Sequence, residues 1–170
     1  MRRYTQSEID LLTSCAKTIS EPPRKSWRED DVGNHKRNDM KLMSSDGKLR
    51  FAVFMRVNKS FQESFSIGLV YLAEDDADNL TLLRCNGPHE RRPVKPPSRW
   101  EYDYHVHKAS EEAIAQGLQP ERFAERTGEY ASYHEALVHF LKIASIRDAD
   151  QYFPSLRQLQ LPFRSDEADS

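Results

Sequence analysis

Residues 39–57, DMKLMSSDGKLRFAVFMRV, contain the clearest secondary-structure pattern in the chain. Within them, Ser-Ser-Asp-Gly at 44–47 separates two runs in which apolar and polar residues alternate, and Asp-Gly is typical of a tight hairpin turn. In the second run, Phe51, Val53 and Met55 fall on one face, because neighbouring strand residues point to opposite faces. The stretch therefore predicts an antiparallel β-hairpin with one apolar face.

Further strands continue this pattern downstream. They are predicted over residues 65–72, 79–85 and 100–107. In the first of them, Ile67, Leu69 and Tyr71 share one face. Because consecutive strands with short links pair with each other, we expect an antiparallel meander of about five strands.

Helical periodicity flanks the predicted sheet on both sides. Thr5-Gln6-Ser7-Glu8 is a capping-box pattern, and it predicts an N-terminal helix over residues 7–20. The charged residues 24–38 are predicted to form an irregular loop. Helices or helical turns are predicted over 110–116, 121–126 and 132–144, the last with an inner stripe of Tyr133, Leu137, Phe140, Leu141 and Ala144. The prediction is an α+β domain with helices on one face of the sheet.

The composition excludes several classes of protein. Charged residues make up 31% of the 170 residues and the net charge is −2, so direct nucleic-acid binding is not predicted. Cys15 and Cys85 are too few for a disulfide framework or a zinc site, which favours a reducing cytoplasm. No apolar run follows Met1-Arg2-Arg3, and no stretch approaches membrane-spanning length. We expect a cytoplasmic protein that needs no cofactor.

The C-terminal hexapeptide Gln158-Leu159-Gln160-Leu161-Pro162-Phe163 alternates polar and apolar residues and ends on an aromatic one. Pro162 has no backbone N–H and biases Leu161 toward extended geometry. Such a segment suits a groove on another protein, where Leu161 and Phe163 would fill an apolar pocket. The amide of Gln158 would donate and accept hydrogen bonds. We therefore divide the chain into a domain, 1–153, and a tail, 154–170.

The same residues allow a docked alternative. Ser155 is a suitable N-cap for a short helix through Gln160 that would end before Pro162. Leu156 and Leu159 would then face the core. In this alternative the segment is part of the domain and binds no partner.

The hexapeptide also carries a resemblance. Gln158, Leu159, Leu161, Pro162 and Phe163 match the Gln-Leu-x-Leu-Pro-Phe motif by which many bacterial proteins bind the DNA polymerase III β sliding clamp. Through this motif the chain resembles the SocB-type toxins, the replication-blocking members of SocA–SocB toxin–antitoxin pairs. The resemblance implies a toxin that occupies the clamp pocket used by polymerases and stalls replication, and such a toxin needs no active site. A non-toxic clamp-binding accessory or a phage-encoded inhibitor would carry the same motif and is left open as an alternative. It also implies an antitoxin that acts as a proteolytic adaptor to the ClpXP protease.

A histidine-rich stretch offers a competing site. Asp103, His105 and His107 would share one face of the predicted strand 100–107. Two imidazoles near Arg84 or Arg99 would suit metal-independent cleavage of RNA, with one histidine as base, the other as acid and the arginine steadying the phosphorane. With His89 the same set could instead bind zinc. A solvated strand face with a structural Asp–His pair is the simpler interpretation.

Residues 49–144 also loosely resemble an uncharacterised bacterial family. The resemblance lies in the turn Asn86-Gly87-Pro88-His89 followed by His105-Val106-His107. It implies no catalytic role for these residues.

Overall fold

The computed structural model of the chain describes residues 2–30, 33–89 and 103–156, and these residues form an α+β fold. Eight strands form one sheet. They are β1 (Lys17–Glu21), β2 (Arg28–Glu29), β3 (His35–Ser44), β4 (Arg50–Asn58), β5 (Phe65–Leu72), β6 (Leu80–Asn86), β7 (His105–Lys108) and β8 (Ala124–Arg126). The helices are α1 (Gln6–Ser14), α2 (Glu111–Ala115), α3 (Tyr133–Ile143) and α4 (Ala149–Tyr152).

The sheet is an antiparallel meander from β3 to β8, which confirms the predicted topology. Its order is β1-β3-β4-β5-β6-β7-β8, and β2 pairs with one end of β3. The predicted hairpin is present, because β3 pairs with β4 from Met43 opposite Arg50 to His35 opposite Asn58. Gly47 has φ of 74°, a conformation that Asp-Gly turns favour. The sheet has eight strands rather than about five because β1, β2 and β8 come from segments predicted to be helix or loop.

The helices cover one face of the sheet. Phe51 and Val53 of β4 are completely buried, and Ala52 and Phe54, which alternate with them, are half-buried, so this strand has one core face as predicted. Helix α1 packs against β6, and α3 packs against β5 and β6. The predicted inner stripe of α3 is confirmed, since Leu137, Phe140 and Leu141 are buried there. We call the opposite side of the sheet the outer face.

The N-terminal helix is shorter than predicted. It ends at Ser14 rather than at residue 20, and residues 17–21 form β1 instead. Ile19 continues the helical spacing of the apolar residues Ile9 and Leu12, but it reaches the core from a strand paired with Leu42 of β3. The capping box itself is present, because Thr5 accepts from the Glu8 amide and the Glu8 carboxylate accepts from the Thr5 amide. The apolar spacing therefore extends past the end of the helix into the first strand.

Two other segments differ from the prediction. Residues 24–38 are not wholly irregular, because they contain β2 and the start of β3. Residues 121–126 were predicted to be helical, but Ala124–Arg126 pair with β7 as strand β8. The exposed edge of β7 supplies hydrogen-bond partners that outweigh a weak local preference for helix. Within the described part of the chain, none of the helices has the length and apolarity needed to cross a bilayer.

Candidate functional site

The predicted clamp-binding residues Gln158, Leu159, Leu161, Pro162 and Phe163 lie outside the described residues. The described chain ends at Leu156, which is 8% exposed and belongs to the hydrophobic core. Two features of the docked alternative are therefore observed, because Ser155 and Leu156 are helical and Leu156 faces the core. Core contact also continues three residues past the proposed boundary at residue 153.

His105 and His107 lie together on the outer face of β7, but they are not solvated as predicted. Val106, between them, belongs to the core on the helix side, so the two imidazoles point the other way. Their exposed fractions are 0% and 5%, and their ring centroids are 5.1 Å apart. The ring of the exposed His89 lies 5.3 Å from that of His105. The three histidines therefore lie close together, with only His89 at the surface.

A chain of hydrogen bonds fixes the His105 ring. Ser66 Oγ donates to Asn86 Oδ1 over 2.7 Å, and Asn86 Nδ2 lies 3.3 Å from His105 Nε2. The other ring nitrogen, Nδ1, lies 2.7 Å from the carbonyl oxygen of Asp103 and must donate to it. This arrangement requires the Nδ1–H tautomer, in which Nε2 accepts. The partner is the Asp103 backbone, whereas the Asp103 carboxylate forms an ion pair with Arg126 at 2.6 Å. The predicted Asp–His pair is thus a backbone contact.

We call His89, His105 and His107 the histidine cluster. Within it, His107 makes a separate set of contacts, with Arg84 and Glu121. Its Nδ1 donates to the Glu121 carbonyl oxygen over 2.9 Å. The Glu121 carboxylate lies 3.7 Å from Arg84 Nε, too far for a hydrogen bond. Within the described chain, neither Arg84 Nε nor Glu121 Oε2 has a hydrogen-bond partner. Burial, followed by the charge of Arg84, lowers the pKa of His107 to about 4. His107 is therefore neutral at pH 7.

The Asn86-Gly87-Pro88-His89 motif has a structural explanation. A Cβ at Gly87 would lie 1.8 Å from the Glu63 carbonyl oxygen, so only glycine fits there. On the helix side, the Tyr130 hydroxyl lies 2.8 Å from the His105 carbonyl oxygen and 3.2 Å from that of Asn86. These contacts hold β6 and β7 in register from both faces of the sheet. The motif was recognisable in the sequence, but nothing in the sequence predicted that Tyr130 would contact Asn86 and His105 or that Glu121 would contact His107.

The geometry favours a structural role for the cluster. A general acid or base must come within hydrogen-bonding distance of the substrate, and the buried imidazoles of His105 and His107 do not reach the surface. Arg84 lies beside His107, as the ribonuclease hypothesis required, whereas Arg99 is outside the described residues. No group of three or more His, Cys, Asp or Glu side chains in the described ranges could hold a metal ion. The zinc alternative therefore has no support among these residues.

The two cysteines differ in their burial. Cys85 is buried in the core, and burial raises its pKa to about 12. Cys15 is half-buried at the end of α1. Both thiols are free.

Comparisons with protein-family models, with curated proteins and with solved structures found no match to this chain.

Proposed function

We propose that this chain is a bacterial toxin that binds the DNA polymerase III sliding clamp through Gln158, Leu159, Leu161, Pro162 and Phe163 and so blocks DNA replication. The observation that carries the proposal is the hexapeptide itself, which matches the clamp-binding motif at each of these positions. The clamp acts in the cytoplasm, and the chain acts there with it. No membrane, cofactor or metal is involved.

On this proposal, the folded domain carries the hexapeptide and presents it to the clamp. Leu156 is packed in the core, and Gln158 follows two residues later. Hydrogen bonds within the sheet account for the residues of the histidine cluster. The hexapeptide is therefore the best candidate for the functional segment. An antitoxin that recognises the folded domain would act as a proteolytic adaptor and deliver the toxin to ClpXP.

Affinity limits how such a toxin works. A short peptide that becomes ordered on binding typically reaches a dissociation constant of about 1 µM, because ordering costs much of the contact energy. Effective inhibition then requires a high toxin concentration, additional contacts from the domain, or a clamp ring that offers several pockets. A clamp ring with several pockets would raise the apparent affinity without any new contact on this chain.

Clamp capture by purified protein tests the proposal. Gln158→Ala, and separately Leu161→Ala with Phe163→Ala, are expected to lower clamp binding at least about tenfold, because they remove the anchoring amide and the apolar anchors. Gln160→Ala is the matched control, since residue 160 occupies the variable position of the motif and its loss should change the affinity less than twofold. Clamp binding by the Leu161/Phe163 double variant at the wild-type level would refute the proposal.

A truncated chain adds a second test. It should end at Leu156 and not at Ser155, because removal of Leu156 would expose part of the core. We expect this fragment to keep the wild-type circular dichroism spectrum and to lose clamp binding.

The ribonuclease hypothesis predicts the opposite pattern in cells. Growth arrest would survive loss of residues 157–170 and would disappear in a His105→Ala, His107→Ala variant. The burial of both rings weighs against this outcome. Growth arrest that requires Gln158 but tolerates His89→Ala would support the clamp proposal over catalysis at this cluster.

A further inference from the structure

The outer face of the sheet carries a row of arginines that neither the clamp motif nor the histidine cluster explains. Arg28 of β2 is paired in register with Arg37 of β3, and Arg37 is paired with Arg56 of β4. Residues directly opposite each other share a face, and neighbouring strands are about 4.8 Å apart. The side chains of the three arginines therefore project from neighbouring positions on one face of the sheet. We call Arg28, Arg37 and Arg56 the arginine row.

Like charges directly opposite each other on neighbouring strands are destabilising, and two carboxylates reduce this repulsion only in part. Arg28 forms an ion pair with Asp39 at 2.7 Å, and Arg37 forms one with Asp30 at 2.9 Å. Arg56 is exposed, and within the described residues no ion pair joins it to an acidic side chain. Each guanidinium has five donors, so the two ion pairs leave donors available. A bound anion would relieve the remaining repulsion.

An aromatic ring lies beside the row. The arginine row, Asn38, Asp39 and Phe54 line a cavity of about 370 Å³. Phe54 lies two residues before Arg56 on the same face and is half-buried. Its ring extends over Gly68 of β5, where a Cβ would lie 2.2 Å from Phe54 Cζ. The missing side chain at residue 68 therefore allows the ring to lie across the sheet.

Arginines beside a half-buried aromatic ring are a combination that suits nucleotide binding. Planar guanidinium groups bind phosphate through paired hydrogen bonds, and an aromatic face stacks on a base whatever its identity. We infer that Arg37 and Arg56 bind the phosphate of a nucleotide whose base packs against Phe54, either as a free nucleotide or as one unit of a single strand. The inference does not rest on clamp binding. It is compatible with a net charge of −2 because it concerns one part of the surface.

The full-length protein tests the inference with three probes: a labelled twelve-residue oligo(dT), the matching oligo(rU), and UMP. Titrations by fluorescence anisotropy, and by calorimetry for UMP, are made at two salt concentrations. We expect an oligonucleotide dissociation constant between about 1 and 100 µM at low salt. Tight binding of oligonucleotides with weak binding of UMP would identify a single strand as the ligand. Comparable binding of all three would identify the free nucleotide.

Matched variants locate the site. Arg37→Gln with Arg56→Gln should weaken binding about tenfold or more and flatten its salt dependence, because two phosphate contacts are lost. Arg50→Gln is the control, since Arg50 is exposed on the same strand and face and lies about 20 Å away. It should change the affinity less than twofold. Phe54→Leu keeps an apolar side chain and should weaken binding about fivefold or more by removing the stacking surface.

Three results would overturn the inference. The first is no binding of any of the probes at 1 mM protein and low salt. The second is a double variant that is folded, as circular dichroism reports, and binds like the wild type. The third is equal binding of a twelve-residue polyglutamate peptide with the same dependence on Arg37 and Arg56, which would assign the face to an acidic protein segment.

Discussion

At the scale of single residues, Lys17 is the unusual feature of the core. Its side chain is fully buried, and Nζ donates to the carbonyl oxygens of Thr13, Cys15 and Ala144 at 2.8, 2.8 and 3.1 Å. These carbonyls lie at the C-terminal ends of α1 and α3, where the helix dipole favours a positive charge. The ammonium also lies 4.7 Å from the centre of the Phe51 ring. Burial lowers the pKa of Lys17.

Lys17→Met should therefore lower the free energy of unfolding by about 3 kcal/mol, because it leaves buried carbonyls without donors. Urea unfolding followed by circular dichroism measures the change. Lys41→Met serves as the control, since Lys41 is 57% exposed and forms only a surface ion pair with Glu21. Its loss should cost less than about 0.5 kcal/mol. An unfolding free energy for Lys17→Met within that margin of wild type would show that the three hydrogen bonds are not stabilising.

At the scale of elements, the caps of the helices agree with the sequence better than their lengths do. Helix α3 begins after Ser132, whose hydroxyl accepts from the Glu135 amide over 3.2 Å. The Glu135 carboxylate accepts from the Ala131 amide over 2.7 Å, one residue before the position that a capping box would use. The helix therefore has two side-chain caps at its N-terminus.

Ser132→Ala should destabilise the protein by about 1 kcal/mol, because one amide at the start of α3 loses its acceptor. Ser132→Asp should restore most of this loss, since aspartate is an equally good N-cap. Thermal unfolding of both variants beside wild type measures the difference. A Ser132→Ala variant with unchanged melting temperature would mean that water or Glu135 replaces the cap.

At the scale of the whole molecule, the burial of His107 links stability to pH. Its pKa is about 4 in the folded protein and near 6.5 when unfolded. Above about pH 6.5 the imidazole is neutral in both states and has no effect on stability. As the pH falls from 6.5 to 4, the unfolded chain binds a proton that the folded chain does not, so stability decreases. His139 acts in the same direction, because burial lowers its pKa as well.

We therefore expect the free energy of unfolding to fall by up to about 1.4 kcal/mol per pH unit between pH 6 and 4.5 from His107 alone. Urea titrations at several pH values measure this slope, and His107→Asn should flatten it. Glu8 and Asp46 add to the slope near the lower end of this window, because interactions with Thr5 and Ser44 lower the pKa of each below its ordinary value and the unfolded chain takes up protons first. Both carboxylates are present in wild type and in His107→Asn, so the difference between the two slopes reports His107. A wild-type slope equal to that of His107→Asn would mean that the ring is already charged in the folded state.

Local patterns in the sequence predicted part of the fold correctly. The hairpin around Gly47 and the apolar face of β4 were predictable, because alternation and turn chemistry are local properties. The polar motif at residues 86–89 was also visible, but its role was not. Hydrogen bonds from Asn86 to His105 cross between strands that are 19 residues apart in the chain. No spacing rule in the sequence connects them.

The class of the fold, the meander, the capped helices and the hexapeptide at residues 158–163 could be read from the order of the residues alone, since each depends on neighbouring residues. Three features became visible only in the folded chain: residues 17–21 and 124–126 are strands, Lys17 and His107 are buried, and Arg28, Arg37 and Arg56 lie side by side. The physical reason is that strand pairing and burial depend on residues distant in sequence, and the free energy of such contacts exceeds weak local preferences.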